Sequence, residues 1–312
     1  MVSCSDDSGA WHMKSAVIAV AAMLFALLTV PASAPHDDPA DVPGWGLPAW
    51  RDEFSGDSVD PEKWTVWDRS THGNFSFDWG DLSEQAVSVQ DGMLRIRLSQ
   101  LDTPVYSGGR ERGWRTGALD TQATHNERWG RWEIRAKIPT TAGDSSGVWP
   151  AFWLRNAPAL GEIDILESWG DPPQRPRSPD LTETSTLTLH ERTVAPHGER
   201  AAWTYEHGVA ELSAPYTTAS GFHTWTIEYT PAEFKAFFDG VLVAHATPDG
   251  ADGTTALPWV WGETFDSPWY MRLNLAMGDP YWTPDPVPGN PHSVMPADFL
   301  IDYVRYWALP EP

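Results

Sequence analysis

Apolar and polar residues alternate along most of the chain, and this pattern predicts β-strands. In residues 132–138 (WEIRAKI) every second side chain is apolar, as on a strand that buries one face. Residues 222–245 repeat the pattern around an Asp-Gly pair at 239–240, and an Asp-Gly pair at 91–92 separates two further alternating runs. Such pairs favour tight hairpin turns. No long stretch has helical periodicity, so we predict an all-β fold, a β-jelly-roll sandwich of two antiparallel sheets.

The same parity indicates which side chains point away from the core. On three predicted strands, at 148–155, 184–190 and 271–277, leucine, methionine or phenylalanine alternates with residues that are polar or aromatic. The apolar set would pack between the sheets, which leaves the other set on the outer face of its sheet. The side chains that this parity assigns to the outer face include Trp149, Trp153, His190, Arg272 and Asn274.

An apolar run at residues 16–30 precedes the folded part of the chain. The run is short for a membrane span and typical of a signal peptide, and Ala32 and Ala34 suit a cleavage site. We predict a signal peptide over residues 1–34, with Met13 as an alternative start, a flexible lead-in over 35–46 and one domain over 47–312. The prediction makes the protein secreted and free of the membrane after cleavage. An uncleaved N-terminal anchor is the alternative.

Acidic residues outnumber basic ones by 43 to 21, which gives a net charge of −22. Charge of this sign argues against nucleic acid as a partner, and also against a heavily sulfated glycan unless a local basic patch overrides it. The one cysteine, Cys4, lies in the predicted leader, so disulfides would not stabilise the domain. The ten histidines show no metal-ligand spacing that would indicate catalytic zinc. We expect a monomer.

The stretch GEIDILESWG, residues 161–170, holds three carboxylates among apolar residues that favour a strand. In a regular strand Glu162 and Asp164 share one face, whereas Glu167 falls on the opposite, apolar face. A buried unpaired carboxylate is too costly for that arrangement. We therefore predict a β-bulge at Ile165–Leu166, because the extra residue would return Glu167 to the face of the other two acids.

A row of acids on one face has a chemical use. Cleavage of a glycosidic bond with retention needs two carboxyl groups about 5–5.5 Å apart, one as nucleophile and one as acid and then base. Asp164 lies between the two glutamates in sequence and could orient the nucleophile. The 19 tryptophans fit a sugar ligand as well, because pyranose rings stack on flat aromatic side chains. On spacing alone, a calcium site and a solvated edge strand remain alternatives.

The motif GEIDILE resembles the E-[ILV]-D-x-x-E signature of glycoside hydrolase family 16, in the bulged form of its laminarinase, agarase and carrageenase branches. The resemblance spans residues 47 to 308 and implies a jelly roll with a concave substrate cleft. By this resemblance Glu162 is the nucleophile, Asp164 its assistant and Glu167 the acid/base, in a catalytic domain that needs no cofactor for catalysis. Further segments match in order at 50–56, 91–97, 115–121, 128–139, 147–155, 273–279 and 301–307.

The resemblance implies a retaining endo-glycosidase that acts on a β-linked polysaccharide, with β-1,3-glucan as the first choice. Agarase-like activity, another β-glycan hydrolase or transglycosylase, and a non-catalytic glycan-binding protein on the same fold are the alternatives. The region before the hairpin at 91–92 and the Gly-Asp pair at 278–279 both depart from the usual laminarinase pattern. The residues predicted to bind substrate are Trp149, Trp153, Trp169, His190, Arg272 and Asn274.

Members of this family often carry a structural calcium ion on the convex side, away from the cleft. The matching positions are Asp302, which would contribute its side chain, and Glu53 and Gly92, which would contribute backbone carbonyls. Oxygen donors of this kind suit calcium. The alternative is that Asp302 caps a strand.

Overall fold

The computed structural model describes residues 39–141, 144–156, 161–168, 184–192, 199–208, 221–278 and 293–310. These residues all belong to the unit Pro35–Pro312. The predicted signal peptide, residues 35–38 of the lead-in and Trp169 lie outside the described residues. In the part that is described, no helix is both long enough and apolar enough to cross a membrane.

Strands make up most of the described chain, and α1 (Arg69–His72) is its one α-helix. Short 3₁₀ turns lie at Glu84–Ala86, Ala251–Gly253 and Pro258–Trp261. The strands are β1 (Trp50–Asp52), β2 (Thr65–Val66), β3 (Gly80–Leu82), β4 (Val87–Gln90), β5 (Met93–Ser107), β6 (Arg110–Asp120), β7 (Gly130–Lys137), β8 (Val148–Asn156), β9 (Gly161–Glu167), β10 (Thr184–Arg192), β11 (Glu199–Gly208), β12 (His223–Tyr229), β13 (Phe234–Phe238), β14 (Val241–Thr247), β15 (Thr255–Ala256), β16 (Trp269–Met277) and β17 (Ala297–Ala308).

Two sheets form the sandwich. Strands β2, β6, β16, β8, β9, β10 and β11 lie side by side in what we call the site sheet. Strands β4, β5, β17, β7, β12, β13, β14 and β15 form the back sheet, with β1 beside β17. The long β5–β6 hairpin runs from one sheet into the other. All these pairs are antiparallel except β14–β15, and the jelly-roll prediction is confirmed.

The core lies between the two sheets and follows the predicted parity. On β7 the side chains are buried and partly exposed in strict alternation. Phe152 and Leu154 of β8 are fully buried in the core, as are Leu273 and Leu275 of β16. Burial of one large apolar side chain contributes about 1.5–3 kcal/mol. A slip of one residue would expose the whole set, so the core also fixes which side chains reach the outer face of the site sheet.

Both predicted hairpin turns are present. Asp91 and Gly92 join β4 to β5 with φ values of 55° and 72°, and Asp239 and Gly240 join β13 to β14 with 47° and 76°. Two successive residues with positive φ are the geometry of the type I′ turn, which matches the twist of the strands it connects. Asp tolerates the first position and Gly the second.

Candidate active site

The predicted bulge is present on β9. Across the β8–β9 pair, Phe152 faces Leu166, but the next residue, Trp153, faces Asp164, so Ile165 is the extra residue. The pairing with β10 has the same shift. Leu166 is fully buried, whereas Glu167 is partly exposed. The bulge therefore returns Glu167 to the side of the sheet that holds the other two acids.

Glu162 is nearly buried and lies beside a positive charge. It faces Arg155 across the β8–β9 pair, and the Nη1 atom of Arg155 donates to its Oε2 atom at 2.5 Å. A charge-assisted bond to a guanidinium holds a carboxylate in a fixed orientation. Arg155 was not predicted from the sequence as a site residue, because its pairing with Glu162 depends on the register of β8 against β9 after the bulge.

Glu167 has a different environment. The indole Nε1–H of Trp149 donates to its Oε1 atom at 3.0 Å. Burial raises the pKa of Glu167 well above its ordinary value, the negative charges of Asp164 and Glu162 raise the pKa further, and the bond from Trp149 lowers it. Because the raising influences dominate, the protonated form of Glu167 is favoured relative to an ordinary glutamic acid. It can thus serve as a general acid.

Asp164 is buried between the two glutamates, and the Nε2 atom of His190 on β10 lies 3.0 Å from its Oδ2 atom. The pairing of β9 with β10 sets this contact, because Asp164 faces Thr188 and Glu162 faces His190. The ligand atoms of Glu162, Asp164 and His190 lie within 4.8 Å of one another, so this group could also hold a metal ion. Arg155 already balances the charge of Glu162, which weakens the case for a cation.

Three other predicted substrate-binding residues lie together on β8 and β16. The Nε1 atom of Trp153 donates to Oδ1 of Asn274 at 2.8 Å, and the guanidinium carbon of Arg272 lies 4.7 Å from the centre of the Trp153 ring. All three side chains are nearly buried. Within the described chain, Nε of Arg272 and Nδ2 of Asn274 have no hydrogen-bond partner. Buried donors without acceptors are costly to the fold.

A row of aromatic rings beside the acids was not predicted. Phe75 and Phe77 lie between α1 and β3, and their ring centres are 4.8 Å apart. Trp67 stacks on Phe75 at 5.0 Å, and Phe77 contacts Trp149 at 5.0 Å. We call Trp67, Phe75, Phe77 and Trp149 the aromatic stack. The spacing of the two phenylalanines in NFSFDW, residues 74–79, is a signal that could have indicated a shared face.

The predicted calcium ligands lie around one part of β17. Asp52 at the end of β1 faces Val304, and Leu94 at the start of β5 faces Ile301. Glu53, Gly92 and Asp302 are therefore close to the same segment, and their oxygen donors fit a calcium ion in kind. The carboxylate of Asp302 already pairs with Arg135, and that of Glu53 pairs with Arg305 through two contacts of 2.8 Å. Bound calcium stays a prediction.

Comparisons with known proteins agree with this geometry. Residues 47–309 match the family model described as "Beta-porphyranase A-D, GH16 domain". The "Glucan endo-1,3-beta-glucosidase A1" of Niallia circulans is 28% identical over 86% of this chain and 39% of its own length. The "Beta-glucanase" of Rhodothermus marinus is 28% identical over 85% of this chain and 86% of its own length. The chain therefore spans well under half of the first relative.

Solved structures share the fold. The laminarinase catalytic domain from Thermotoga maritima has a TM-score of 0.65 at 22% identity, over 85% of this chain and 99% of that one. The endo-beta-1,3-glucanase from Pyrococcus furiosus has a TM-score of 0.66 at 23% identity, over 88% of this chain and 98% of that one. Because the family model covers most of the sequence, the chain belongs to glycoside hydrolase family 16.

Proposed function

We propose that the protein is a secreted endo-glycosidase that cleaves β-linked polysaccharide with retention at the anomeric carbon. The observation that carries the proposal is the contrast between two glutamates of one strand. Glu162 lies against the guanidinium of Arg155, whereas burial and two neighbouring carboxylates raise the pKa of Glu167. Double displacement needs one ionised and one protonated carboxyl group on the same face.

In the first step, Glu167 donates its proton to the departing glycosidic oxygen while a carboxylate oxygen of Glu162 attacks the anomeric carbon. The glycosidic bond breaks, and an ester joins the sugar to Glu162. In the second step, Glu167, now ionised, takes a proton from water, and the resulting hydroxide displaces Glu162 from the anomeric carbon. Asp164, held by His190, keeps the nucleophile oriented. If a second sugar replaces water, the same intermediate leads to transglycosylation.

We infer β-1,3-glucan as the substrate. Two relatives with 28% identity are a glucan endo-1,3-beta-glucosidase and a beta-glucanase. A neutral glucan also suits a chain with a net charge of −22. The second candidate is porphyran, because the family model that matches residues 47–309 carries the name of the beta-porphyranases.

Incubation with laminarin, lichenan, agarose, porphyran and carrageenan, followed by measurement of reducing ends and product lengths, tests activity and substrate together. We expect laminarin to yield short oligosaccharides, and NMR of the first products to show the β-anomer. The Glu162→Gln variant is the control for contaminating enzymes, and it should be inactive. Binding to a glycan without any release of reducing ends would instead support a non-catalytic glycan-binding protein.

A further inference from the structure

In the aromatic stack, Phe75 contacts Trp67 and Phe77 through the faces of the rings, whereas Phe77 meets Trp149 at a tilt of 46°. Phe75 stacks on Trp67 at an interplanar angle of 30° and on Phe77 at 11°. Trp67 also stacks on His72 at 12°. A sugar binds an aromatic side chain through the flat face of the ring, and neighbouring rings already stack on the faces of Trp67 and Phe75. The stack is therefore poorly suited to serve as a series of sugar platforms.

The stack ends at the acid/base candidate. Phe77 contacts the ring of Trp149 at 5.0 Å, and the Nε1–H of the same ring donates to Glu167 at 3.0 Å. Trp149 is only partly buried, so packing from one side matters for its orientation. A hydrogen bond weakens steeply when its donor tilts away from the acceptor. Phe77 thus lies where it can hold the indole in line with the carboxyl group.

The segment that carries Phe77 is held firmly. Asp78, the next residue, is fully buried, and its carboxylate accepts from the backbone N–H groups of Gly80 at 2.7 Å and Met277 at 2.9 Å. It also accepts from the hydroxyl of Thr116 at 2.6 Å. Met277 is the last residue of β16, so the segment is fastened to the site sheet. A fixed support of this kind keeps Phe77 in one place relative to β8 and β9.

We propose that Phe77 is a positioning residue, which acts through Trp149 to keep the indole N–H on the carboxyl group of Glu167. This inference rests on the proposed role of Glu167 as acid/base. Phe77 would contribute to the rate of the proton-transfer steps and little to sugar affinity. Phe75 and Trp67 extend the support behind Phe77.

Among the described residues, the charges around Glu167 come from three strands. Asp164 and Glu162 lie on β9 with it, and both raise its pKa. Arg155 on β8 pairs with Glu162, and His190 on β10 pairs with Asp164. The bond from Trp149 on β8 lowers the pKa. Loss of the hydrogen bond from Trp149 alone should therefore raise the pKa of Glu167 further. In a plot of activity against pH, the alkaline limb should then move to higher pH.

The test compares Phe77→Ala, Trp149→Phe and the double variant in kcat and KM across the pH range, with laminarin as substrate. We expect Phe77→Ala to lower kcat about tenfold, to change KM less than about twofold and to move the alkaline limb to higher pH. The double variant should have the same kcat as Trp149→Phe, because both substitutions disrupt the same hydrogen bond, from the indole N–H of Trp149 to Glu167. Phe237→Ala, on β13 of the back sheet, is the matched control and should leave the profile unchanged.

The proposal would be overturned by an increase in KM of tenfold or more with kcat and the alkaline limb unchanged. It would also be overturned if the losses of kcat in the two single variants simply multiply in the double variant. Phe77→Leu serves if the alanine variant does not fold. The carboxyl carbon of Glu167 can also be titrated by NMR, with its signal assigned from the Glu167→Gln variant. Together with the activity assay, this titration distinguishes failure of the proposed function from failure of the positioning role of Phe77. A wild-type protein inactive on every glycan would contradict the proposed function, whereas an identical titration in wild type and Phe77→Ala would contradict the positioning role.

Discussion

Arg272 and Asp120 form a buried ion pair on the site sheet, with Nη2 of the arginine 3.1 Å from Oδ2 of the aspartate. The Nε1 atom of Trp67 donates to the same oxygen at 3.1 Å, and its ring lies 4.4 Å from the guanidinium carbon. The pair is neutral as a whole, yet Nε of Arg272 has no partner in the described residues. A neutral pair attracts an anionic group such as a sulfate less strongly than an unpaired guanidinium would.

We expect Asp120→Asn to change the preference for charged substrates. The substitution leaves the positive charge of Arg272 unbalanced, so kcat/KM for a sulfated galactan should rise several-fold relative to laminarin. Loss of one partner of a buried pair should also lower the free energy of unfolding by about 3–5 kcal/mol, which urea denaturation would measure. Asp298→Asn is the matched control, because Asp298 pairs with the partly exposed Arg97 on the back sheet. If the ratio of kcat/KM on the sulfated galactan to kcat/KM on laminarin does not change, Asp120 does not influence substrate preference by balancing the charge of Arg272.

The raised pKa of Glu167 leads to a prediction about leaving groups. Glu167→Gln should lower kcat on polysaccharide by about 10² to 10⁴, which is the usual contribution of general acid catalysis. The loss should be smaller on an aryl glycoside, because an acidic phenol departs without a proton. Rates of phenol release and of reducing-end formation, measured on the same preparation, make the comparison. Equal losses on both substrates would count against the acid role.

The bulge can be tested by deletion. Removal of Ile165 shortens the motif to EIDLE, in which strict alternation by itself keeps the three acids on one face. We expect this variant to fold and to retain activity within about a hundredfold of wild type. Removal of Ile163 is the matched control, because it makes Glu162 and Asp164 neighbours on opposite faces and should abolish activity. Circular dichroism and reducing-end assays would show whether the two deletions differ in this way.

The strands and the bulge could be predicted because each depends on local pattern and on one strong energetic penalty. A buried glutamate among isoleucines is so unfavourable that a bulge at Ile165–Leu166 follows from the sequence, and the structure shows that Ile165 is the extra residue. Partners from distant segments could not be predicted in this way. Asp120 and Arg272 are 152 positions apart, and their pairing depends on the register of β6 against β16. No local pattern encodes that register.

The aromatic stack shows the same limit. Phe75 and Phe77 precede β3, in a segment whose course is set by the buried carboxylate of Asp78 and by the backbone of Met277 far along the chain. Sequence parity assigned Trp149 correctly to the outer face, but it could not show that a phenylalanine would pack against it. The sequence thus predicted that the three acids share one face, whereas the groups that contact them emerged only from the tertiary structure.

Calcium binding at the back sheet is open to a thermal test. If Asp302, Glu53 and Gly92 hold the ion, calcium should raise the melting temperature by a few degrees over a sample with chelator. The effect should be small, because Arg135 already balances the charge of Asp302. Asp302→Asn should remove the calcium effect, and Asp298→Asn should keep it. Equal melting temperatures in calcium and chelator would exclude the site.

Asp78 should make the stability of the fold depend on pH. Burial raises the pKa of its carboxyl group above 3.8, despite the bonds from Thr116, Met277 and Gly80 that lower it. A raised pKa means that the folded chain holds the proton more tightly than the unfolded chain. Protonation of Asp78 therefore stabilises the fold fully at pH values below the ordinary pKa of an aspartic acid. This contribution to the free energy of unfolding is lost as pH rises through the raised pKa of Asp78 in the folded chain.

Asp78→Asn keeps the shape of the side chain and removes its ionisation. Its amide oxygen can accept from the N–H groups of Gly80 and Met277, and its amide nitrogen can donate to Thr116, the three partners of the carboxylate in wild type. We expect the free energy of unfolding, measured in urea between pH 4 and pH 8, to decline less with rising pH in this variant than in wild type. Asp78→Ala should lose about 2–4 kcal/mol at every pH, because two buried N–H groups are left without an acceptor. Parallel curves for wild type and Asp78→Asn would show that Asp78 does not titrate in this range.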